Sequence, residues 1–557
     1  MKLIECVPNI SEGKDNNIID SVVSIIKDNK NVHLLDVDAG NDTNRTVITF
    51  IGEPNAVIEA AFNLIKKASE LIDMSNHSGE HPRMGATDVC PLIPIKNTSI
   101  KECIEFSRKL AKRVSTELNI PVFLYEYSAT NTERRNLANI RKGEYEGMFK
   151  KIKQINWKPD FGVSVNNEKS GCTAIGVREF LIAYNVNLNT FDKKIATDIA
   201  LDIREAGRAK RDENGKILRD KNNIIIKKPG KLKFCKAVGW FIDEYNQAQV
   251  SINLTNYKKT SIHKTFEEIR MQARKRGIRV TGSEIVGLVP KDSLLSAGKY
   301  YLKKQSRSTA LPEKEILNIA IKSLGLTDIS EFDKQKKIIE NNIIDNSNLL
   351  INNNIKDLAD ITSLGTPTPG GGSISALAGA YGVALGSMVA NLSFQKKDLD
   401  HFNSNYTSIG ENCQKYKDKM LTLIDSDTDA YNKVIEAIRL PKKSDADKKI
   451  RLKEIELATI HAAEIPMEIL EISLKSLKLI YRLVDIANPA SVTDLGVSLY
   501  MLYASAKGAS MNVLINANDF NSTTLKDKYL DKINYYDREL EDIFSKINLS
   551  VYKILND

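Results

Sequence analysis

From the amino terminus to about residue 340, short apolar runs alternate with longer stretches in which apolar residues recur every three to four positions. HLLDVDAG (33–40), RTVITFIG (45–52), VFLYEY (122–127), FLIAYNVNL (180–188) and AQVSINLTNY (248–257) have the length and β-branched content of strands. Residues 55–71 and 99–118 carry the helical period. This half therefore reads as α/β or α+β. After an Asn-rich stretch, 341–354, no convincing strand remains, and helical segments are expected near 373–394, 403–439, 446–483, 491–516 and 524–555. In the last of these, Leu525, Tyr529, Ile533, Tyr536, Leu540, Ile543 and Ile547 form one stripe, so the second half reads as an antiparallel helical bundle.

One segment tests that reading. Residues 361–395 carry no charge, and Gly382 and Gly386 have the spacing of a membrane-helix dimer motif. The content is mostly Ala, Gly and Ser with Pro367 and Pro369 near the start, which favours a closely packed helix of a soluble bundle over a membrane span.

Length and composition narrow the class. A chain of 557 residues with 27% charged and 42% hydrophobic residues is an ordinary multidomain globular protein, neither disordered nor fibrous. Lys+Arg 80 against Asp+Glu 71 leaves a formal charge of +9, which favours anionic partners. The basic excess is concentrated in 208–233, where ten cations face Asp212, Glu213 and Asp220. This is a basic flap or hairpin, or simply a solvated loop; it lacks the interleaved aromatics of a nucleic-acid surface. The six cysteines are scattered without C-x-x-C, and the first apolar run is too short for a signal-peptide core, so a reducing cytoplasm is expected.

The densest cluster of ionisable groups is HSGEHPRMGATD, residues 77–88. Its H-x-x-E-H spelling imitates a zinc-protease signature, but Gly79 and Pro82 argue against the helix that would put both imidazoles on one face. A loop displaying His81 with Glu80, Arg83 and Asp88 suits a single general acid/base, and equally a structural histidine. Asp36 and Asp38 share one strand face before Asn44 and Arg45, where a carboxylate orients an imidazole or caps a turn. The loop 160–171 supplies glycines and amides. In the second half, Gly370, Gly371, Gly372 and Ser373 open a helix and offer backbone N–H groups to an anion such as a carboxylate. Asp427 falls inside an apolar stripe of Met420, Leu423, Ile424, Ala430, Tyr431, Val434 and Ile438, with Asp425 and Asp429 expected to point away from it. Burial there raises a carboxyl pKa toward that of a general acid; a buried Asp satisfied by a neighbouring helix is the plain alternative.

Taken in order, ECVPNISEG, LLDVDAG with NRTV, LIDMSNHSGEHPRMGATDVCPLIP, DFG followed by FLIAYNVNL, VGW with AQVSINLTNY, GLVP, TPGGGS, LIDSDTDAY and MNVLIN resemble the bifunctional formimidoyltransferase-cyclodeaminase family over nearly the whole chain. The resemblance implies an α+β half of two subdomains (1–180 and 181–340), sheets with helices packed on one face, then the linker (341–354) and an all-α cyclodeaminase bundle (355–557). It implies transfer of a formimino group from N-formimino-L-glutamate to tetrahydrofolate, polyglutamylated, as co-substrate. Cyclisation to 5,10-methenyltetrahydrofolate with loss of ammonia then follows, in histidine breakdown. By the same resemblance His81 is the transferase acid/base, Asp38 its helper and Asp427 the cyclodeaminase acid/base. The folate site is lined by Gly162, Val163, Ser164, Val165, Asn166, Asn167, Glu168, Lys169, Ser170 and Gly171. No metal, nucleotide, nucleic acid or membrane is implied, and the family assembles as dimers and rings of dimers. The rivals are a formyltransferase using N-formylglutamate and a folate-binding protein with degenerate sites.

Overall fold

A computed structural model describes residues 2–40, 44–79, 82–165, 167–242, 245–329, 331–342 and 349–556. The chain forms two compact units, one of residues Met1–Ala297 with Ala320–Ile344, the other of Gly298–Ile319 with Asp345–Asp557.

The first unit holds two main sheets. One comprises β1 (Leu3–Cys6), β2 (Asn9–Ile10), β3 (Val32–Gly40), β4 (Arg45–Gly52), β5 (Thr87–Lys96), β6 (Val122–Glu126) and β7 (Thr173–Val177). The split strand β1/β2 lies between β4 and β5; β3 flanks β4, and β7 then β6 continue in parallel beyond β5. The split falls at Val7–Pro8, facing Cys90 and Pro91 of β5, and neither Pro8 nor Pro91 has an N–H to give a ladder. Helices α1 (Asn16–Lys27), α2 (Pro54–Leu71) and α3 (Ile100–Glu117) pack on one face. In α1, Ile19, Val22, Val23 and Ile26 form the buried stripe and Asp15 caps the first turn; α3 starts on a Ser99/Glu102 capping box. The short α4 (Leu137–Arg141) and α5 (Glu144–Lys151) give Ile140 and Met148 to a smaller cluster with Val89 and Phe123.

The second sheet is built from β8 (Ile182–Leu188), β11 (Cys235–Ile242), β12 (Gln247–Leu254) and β13 (Val280–Val286), in the antiparallel order β11-β12-β8-β13. The helices α6 (Lys193–Ile203) and α7 (Ile262–Lys275) accompany it. Gly239 of β11 admits α6, since a Cβ there would lie 2.1 Å from the Thr197 nitrogen. Between α6 and β11 the basic stretch folds as a flap on the two-residue strands β9 (Arg208–Ala209) and β10 (Lys227–Lys228). Its three limbs close in a ring of bonds from Lys210 N to Ile226 O, Ile226 N to Leu218 O and Leu218 N to Lys210 O, at 2.8 to 2.9 Å. Arg208 anchors the base on Asp198 and Asp202, while most of the other cations are exposed.

Helices α8 (Lys291–Lys304), α9 (Glu313–Leu324) and the single-turn α10 (Lys334–Lys337) follow. The linker expected over 341–354 is described only at its ends, by the turns Ile339–Asn342 and Leu350–Asn352. The second unit then runs through α11 (Ile355–Thr362), α12 (Gly371–Ser393), α13 (Asn403–Ile438), α14 (Asp445–Val484), α15 (Val492–Asn518) and α16 (Thr523–Asn556). The α+β half and the helical bundle thus match the fold class expected from the pattern and the resemblance. Helix α12 is long and apolar enough to cross a membrane, yet 61% of its apolar window is buried inside the bundle. Its glycines explain that burial: a Cβ on Gly379, Gly382 or Gly386 would meet Ser505, Leu502 or Ile480 within 2.8 Å, so these positions let α12 lie against its neighbours.

Candidate functional site

Two places gather chemistry, one in each unit. In the first, the loop after α2 is held as a polar scaffold. Arg83 donates from Nε to His77 Nδ1 at 3.2 Å, and its two terminal nitrogens reach Glu144 and Glu146. His77 Nε2 lies 3.0 Å from Asn44 O. With Nδ1 accepting, Nε2 is the ring donor, and burial lowers the His77 pKa, so this histidine is a neutral strut. His81 and its neighbour Glu80 lie outside the described residues.

Around that loop the chain is closely stitched. Asn44 accepts from Gly13 N at 3.0 Å and donates to Ser78 O at 2.8 Å. Gly85 lies against the start of β7, where a Cβ would be 2.1 Å from Cys172 O and 2.7 Å from Ser170 O. The far end of the expected folate loop is therefore part of this scaffold: Ser170 O accepts from Ala86 N, Lys169 O from Met74 N and Glu168 O from Tyr145 Oη. Gly162 and Gly171 take positive φ, and Val163 and Val165 are exposed. Asn166 lies outside the described residues. Asp38 sits exposed on β3 opposite Val47, two residues from Arg45 across the ladder, and its charge supports the Arg45 cation.

A cavity of about 440 Å³ opens beside this scaffold. Arg45, Arg141, Arg178 and Lys236 face it with Glu126 and Glu179, alongside Tyr125, Tyr127 and Phe234. Arg141 is paired with buried Asp88, whose carboxyl also accepts from Met84 N at 3.0 Å. Burial raises the Asp88 pKa while Arg141 opposes the rise. The lining has apolar walls, a net positive face and several amide arms, which suits an aromatic molecule with carboxylates.

In the second unit, the first turn of α12 meets the middle of α13. Ser373 Oγ donates to Asp427 Oδ2 at 3.0 Å and lies 2.9 Å from Ile424 O. Gly372 makes the approach feasible, because a Cβ on it would fall 2.1 Å from Asp427 Oδ1. Burial raises the Asp427 pKa, while the hydroxyl and backbone N–H of Ser373 pull it down. Asp429 is exposed as expected. Asp425 is not: its Oδ1 accepts the Leu350 N–H at 2.6 Å, so it fastens the 350–352 turn to α13 instead of facing solvent. Tyr431 and Ile438, assigned to the apolar stripe, are exposed, while Ala430 and Ala437 of the same stretch are buried. Among the described residues no group of three His, Cys, Asp or Glu side chains is placed to hold a metal ion.

Comparison with known proteins decides the family. Residues 3–178 match the family described as Formiminotransferase domain, N-terminal subdomain; 183–344 match Formiminotransferase domain; 354–535 match Formiminotransferase-cyclodeaminase. The formimidoyltransferase-cyclodeaminase of Dictyostelium discoideum is 40% identical over 521 residues, 93% of each chain. That of Mus musculus is 37% identical over 535 residues, 96% of each. The chain belongs to the formimidoyltransferase-cyclodeaminase family. Its first part is also similar to the glutamate formimidoyltransferase of Streptococcus pyogenes serotype M1, 41% identical over 343 residues, which are 62% of this chain and 99% of that protein.

Residue-by-residue reading of the sequence had missed some members of both places. Arg141 stands far from any motif and Arg178 just outside FLIAYNVNL, and only the fold brings them to the cavity. Asn512 lies in MNVLIN, a segment noted for resemblance alone. Its side chain abuts Gly371, where a Cβ would sit 3.3 Å from Asn512 Nδ2, so two successive glycines of the loop are each needed by a side chain from another helix.

Proposed function

We propose that the chain catalyses both reactions of its family, formimino transfer from N-formimino-L-glutamate to tetrahydrofolate in residues 1–340, and cyclodeamination of the product in residues 355–557. In the transfer, the folate N5 attacks the formimino carbon and the resulting adduct releases glutamate. His81 is assigned the proton taken from the attacking nitrogen and returned to the leaving one, with Asp38 as its helper. Residues 162–171 border the folate, and the cationic cavity lined by Arg45, Arg141, Arg178 and Lys236 receives its carboxylates.

In the second reaction N10 closes on the same carbon and ammonia departs with a proton, which calls for a carboxylic acid that is neutral near physiological pH. Asp427 is assigned that role. The observation that carries the reading is its carboxyl, partly buried against Gly372 and Ser373 at the first turn of α12. Neither proton transfer requires a metal or a nucleotide.

The net charge of +9 and the exposed flap support a polyglutamylated folate. Six buried cysteines, all free thiols, support a cytoplasmic site of action. Val497, Tyr500, Met511 and Ile515 leave an exposed apolar face on α15, which supports a homo-oligomer built from dimers, with a ring of dimers as its closed form.

The test is incubation of the full chain with formiminoglutamate and tetrahydrofolate, following methenylfolate absorbance and ammonia separately. His81→Ala should stop transfer yet cyclise supplied 5-formiminotetrahydrofolate, and Asp427→Asn should do the reverse. Loss of both activities in either folded variant would overturn the two-site reading, and turnover of N-formylglutamate in preference to formiminoglutamate would reassign the donor.

A further inference from the structure

Beside Asp427 the bundle contains a second feature that the two-site reading does not use. A cavity of about 620 Å³ lies between α12, α13 and the chain that precedes them, with a mostly apolar lining in which Lys417 is the one charged side chain among the described residues. On α13 its wall is Lys417, Leu421 and Ile424, at i, i+4 and i+7. That ridge continues to Asp427 and Thr428. On α12 the wall is Ile374, Leu377, Tyr381 and Ala384, which begins one residue after Ser373. Leu350 and Leu358 close the remaining side, and the bond from Leu350 N to Asp425 Oδ1 fixes that side to α13.

The cavity and the carboxyl therefore share a wall. Ser373, which donates to Asp427, also lies 2.9 Å from the carbonyl of Ile424, a lining residue. Lys417 stands ten positions before Asp427 on the same helix, about 15 Å away at a rise of about 1.5 Å per residue. Its ammonium gives one bond to Gln414 Oε1 at 2.7 Å and lies 3.1 Å from Asp418 Oδ1. An ammonium has three donors, so one remains for a ligand. Apolar walls with a cation at one end match an aromatic ring carrying a terminal carboxylate, and the lining runs from Lys417 to Ile374 and Ile424, the neighbours of Ser373 and Asp427, so the reactive nitrogen of such a molecule would leave the cavity toward that carboxyl.

We propose that this cavity holds the aminobenzoylglutamate arm of the folate during cyclodeamination, with Lys417 receiving a glutamate carboxylate and the reacting nitrogens placed at Asp427. This rests on the assignment of Asp427 as the cyclodeaminase acid. It differs from the glycine loop as an anion site, because the anionic end of the substrate lies at the opposite end of the slot from Gly370–Ser373.

The test uses the full chain and two substrates, 5-formiminotetrahydrofolate and the same compound lacking its glutamate, with ammonia release as the readout. Lys417→Met should raise KM for the complete substrate about tenfold with kcat within about twofold, and should make no difference with the truncated one. Ala384→Phe, which fills the slot near Lys417, should raise KM for both substrates. An equal penalty on both substrates in Lys417→Met, or none on either, overturns the proposal. So does a change of oligomeric mass in Lys417→Met with KM unmoved, since the cavity would then be covered by a second copy. Asp427→Asn separates the two levels: if it still releases ammonia the underlying assignment fails, whereas if it is inactive and Lys417→Met is unaffected only the arm's location fails.

Discussion

Asn516 on α15 donates its side-chain Nδ2 to the carbonyl oxygen of Ala462 on α14 at 2.9 Å. Pro466 lies four residues beyond Ala462, inside the helix, and has no N–H to return to that carbonyl. The amide from α15 takes the place of the missing backbone donor, and also reaches Asn512 O at 2.9 Å. Asn516→Ala should therefore leave a buried carbonyl unsatisfied and cost about 1–3 kcal/mol. In a Pro466→Ala background, where the backbone donor is restored, the same substitution should cost clearly less. Urea denaturation of the four proteins measures the difference; equal losses in both backgrounds would show that the amide does not serve Pro466.

The three aspartates of α13 should separate by role. Asp427→Asn keeps the shape but removes the proton, so ammonia release should collapse while the helical circular dichroism persists. Because burial raises this carboxyl, the acid form survives above the ordinary Asp range, and the cyclisation rate should fall as pH rises through the folded-state pKa. Asp425→Asn weakens the bond to Leu350 N and should cost about 1 kcal/mol of stability without removing ammonia release. Asp429→Asn, on the exposed face, should change neither by more than about 0.5 kcal/mol or its rate equivalent.

Glu5 gives the first half a pH-dependent stability. It lies in the middle of β1 opposite Ile51 and Ile93, only 2% exposed, and burial pushes its pKa up to about 7 with Arg178 opposing. A carboxyl whose pKa is higher folded than unfolded stabilises fully below its unfolded value of about 4.5, and that contribution is lost as pH rises toward about 7. The pH-dependent part is on the order of 3 kcal/mol. In Glu5→Gln this fall between acid and neutral pH should disappear, as thermal midpoints measured across that range would record. An unchanged slope would mean that Glu5 is ionised in the folded protein.

Two glycines should act as separate switches for the two activities. An alanine at Gly85 has no room, because the atoms it meets are the carbonyls of Cys172 and Ser170, and backbone cannot swing aside. Gly85→Ala should part the 77–88 loop from the folate loop and abolish transfer. Gly372→Ala pushes on the Asp427 carboxylate itself and should abolish ammonia release from supplied 5-formiminotetrahydrofolate. Each variant should keep the activity of the other half in the paired assay.

The amino-acid sequence by itself determined the division into an alternating half and a helical half, since periods of two and 3.6 are local properties of side-chain order. The segment expected to be helical over 403–439 is Asn403–Ile438, and that expected over 446–483 is Asp445–Val484. Strand β5 was not legible in the same way: it is buried on both faces and holds Pro91 and Pro94, so it neither alternates nor looks like a strand. Helical spacing also put Asp427 among apolar residues. Only the tertiary structure decided that Gly372 and Ser373 meet it, that Asp425 is drawn to the Leu350 turn, and that Asn516 serves Pro466 while Asn512 faces the glycine loop. Asn512 and Asn516 are one turn apart and chemically identical, so nothing in local order distinguishes them. The difference comes from which carbonyl or glycine another helix brings within reach, and such partners lie about fifty to one hundred and forty residues away in the chain, where no periodicity carries information.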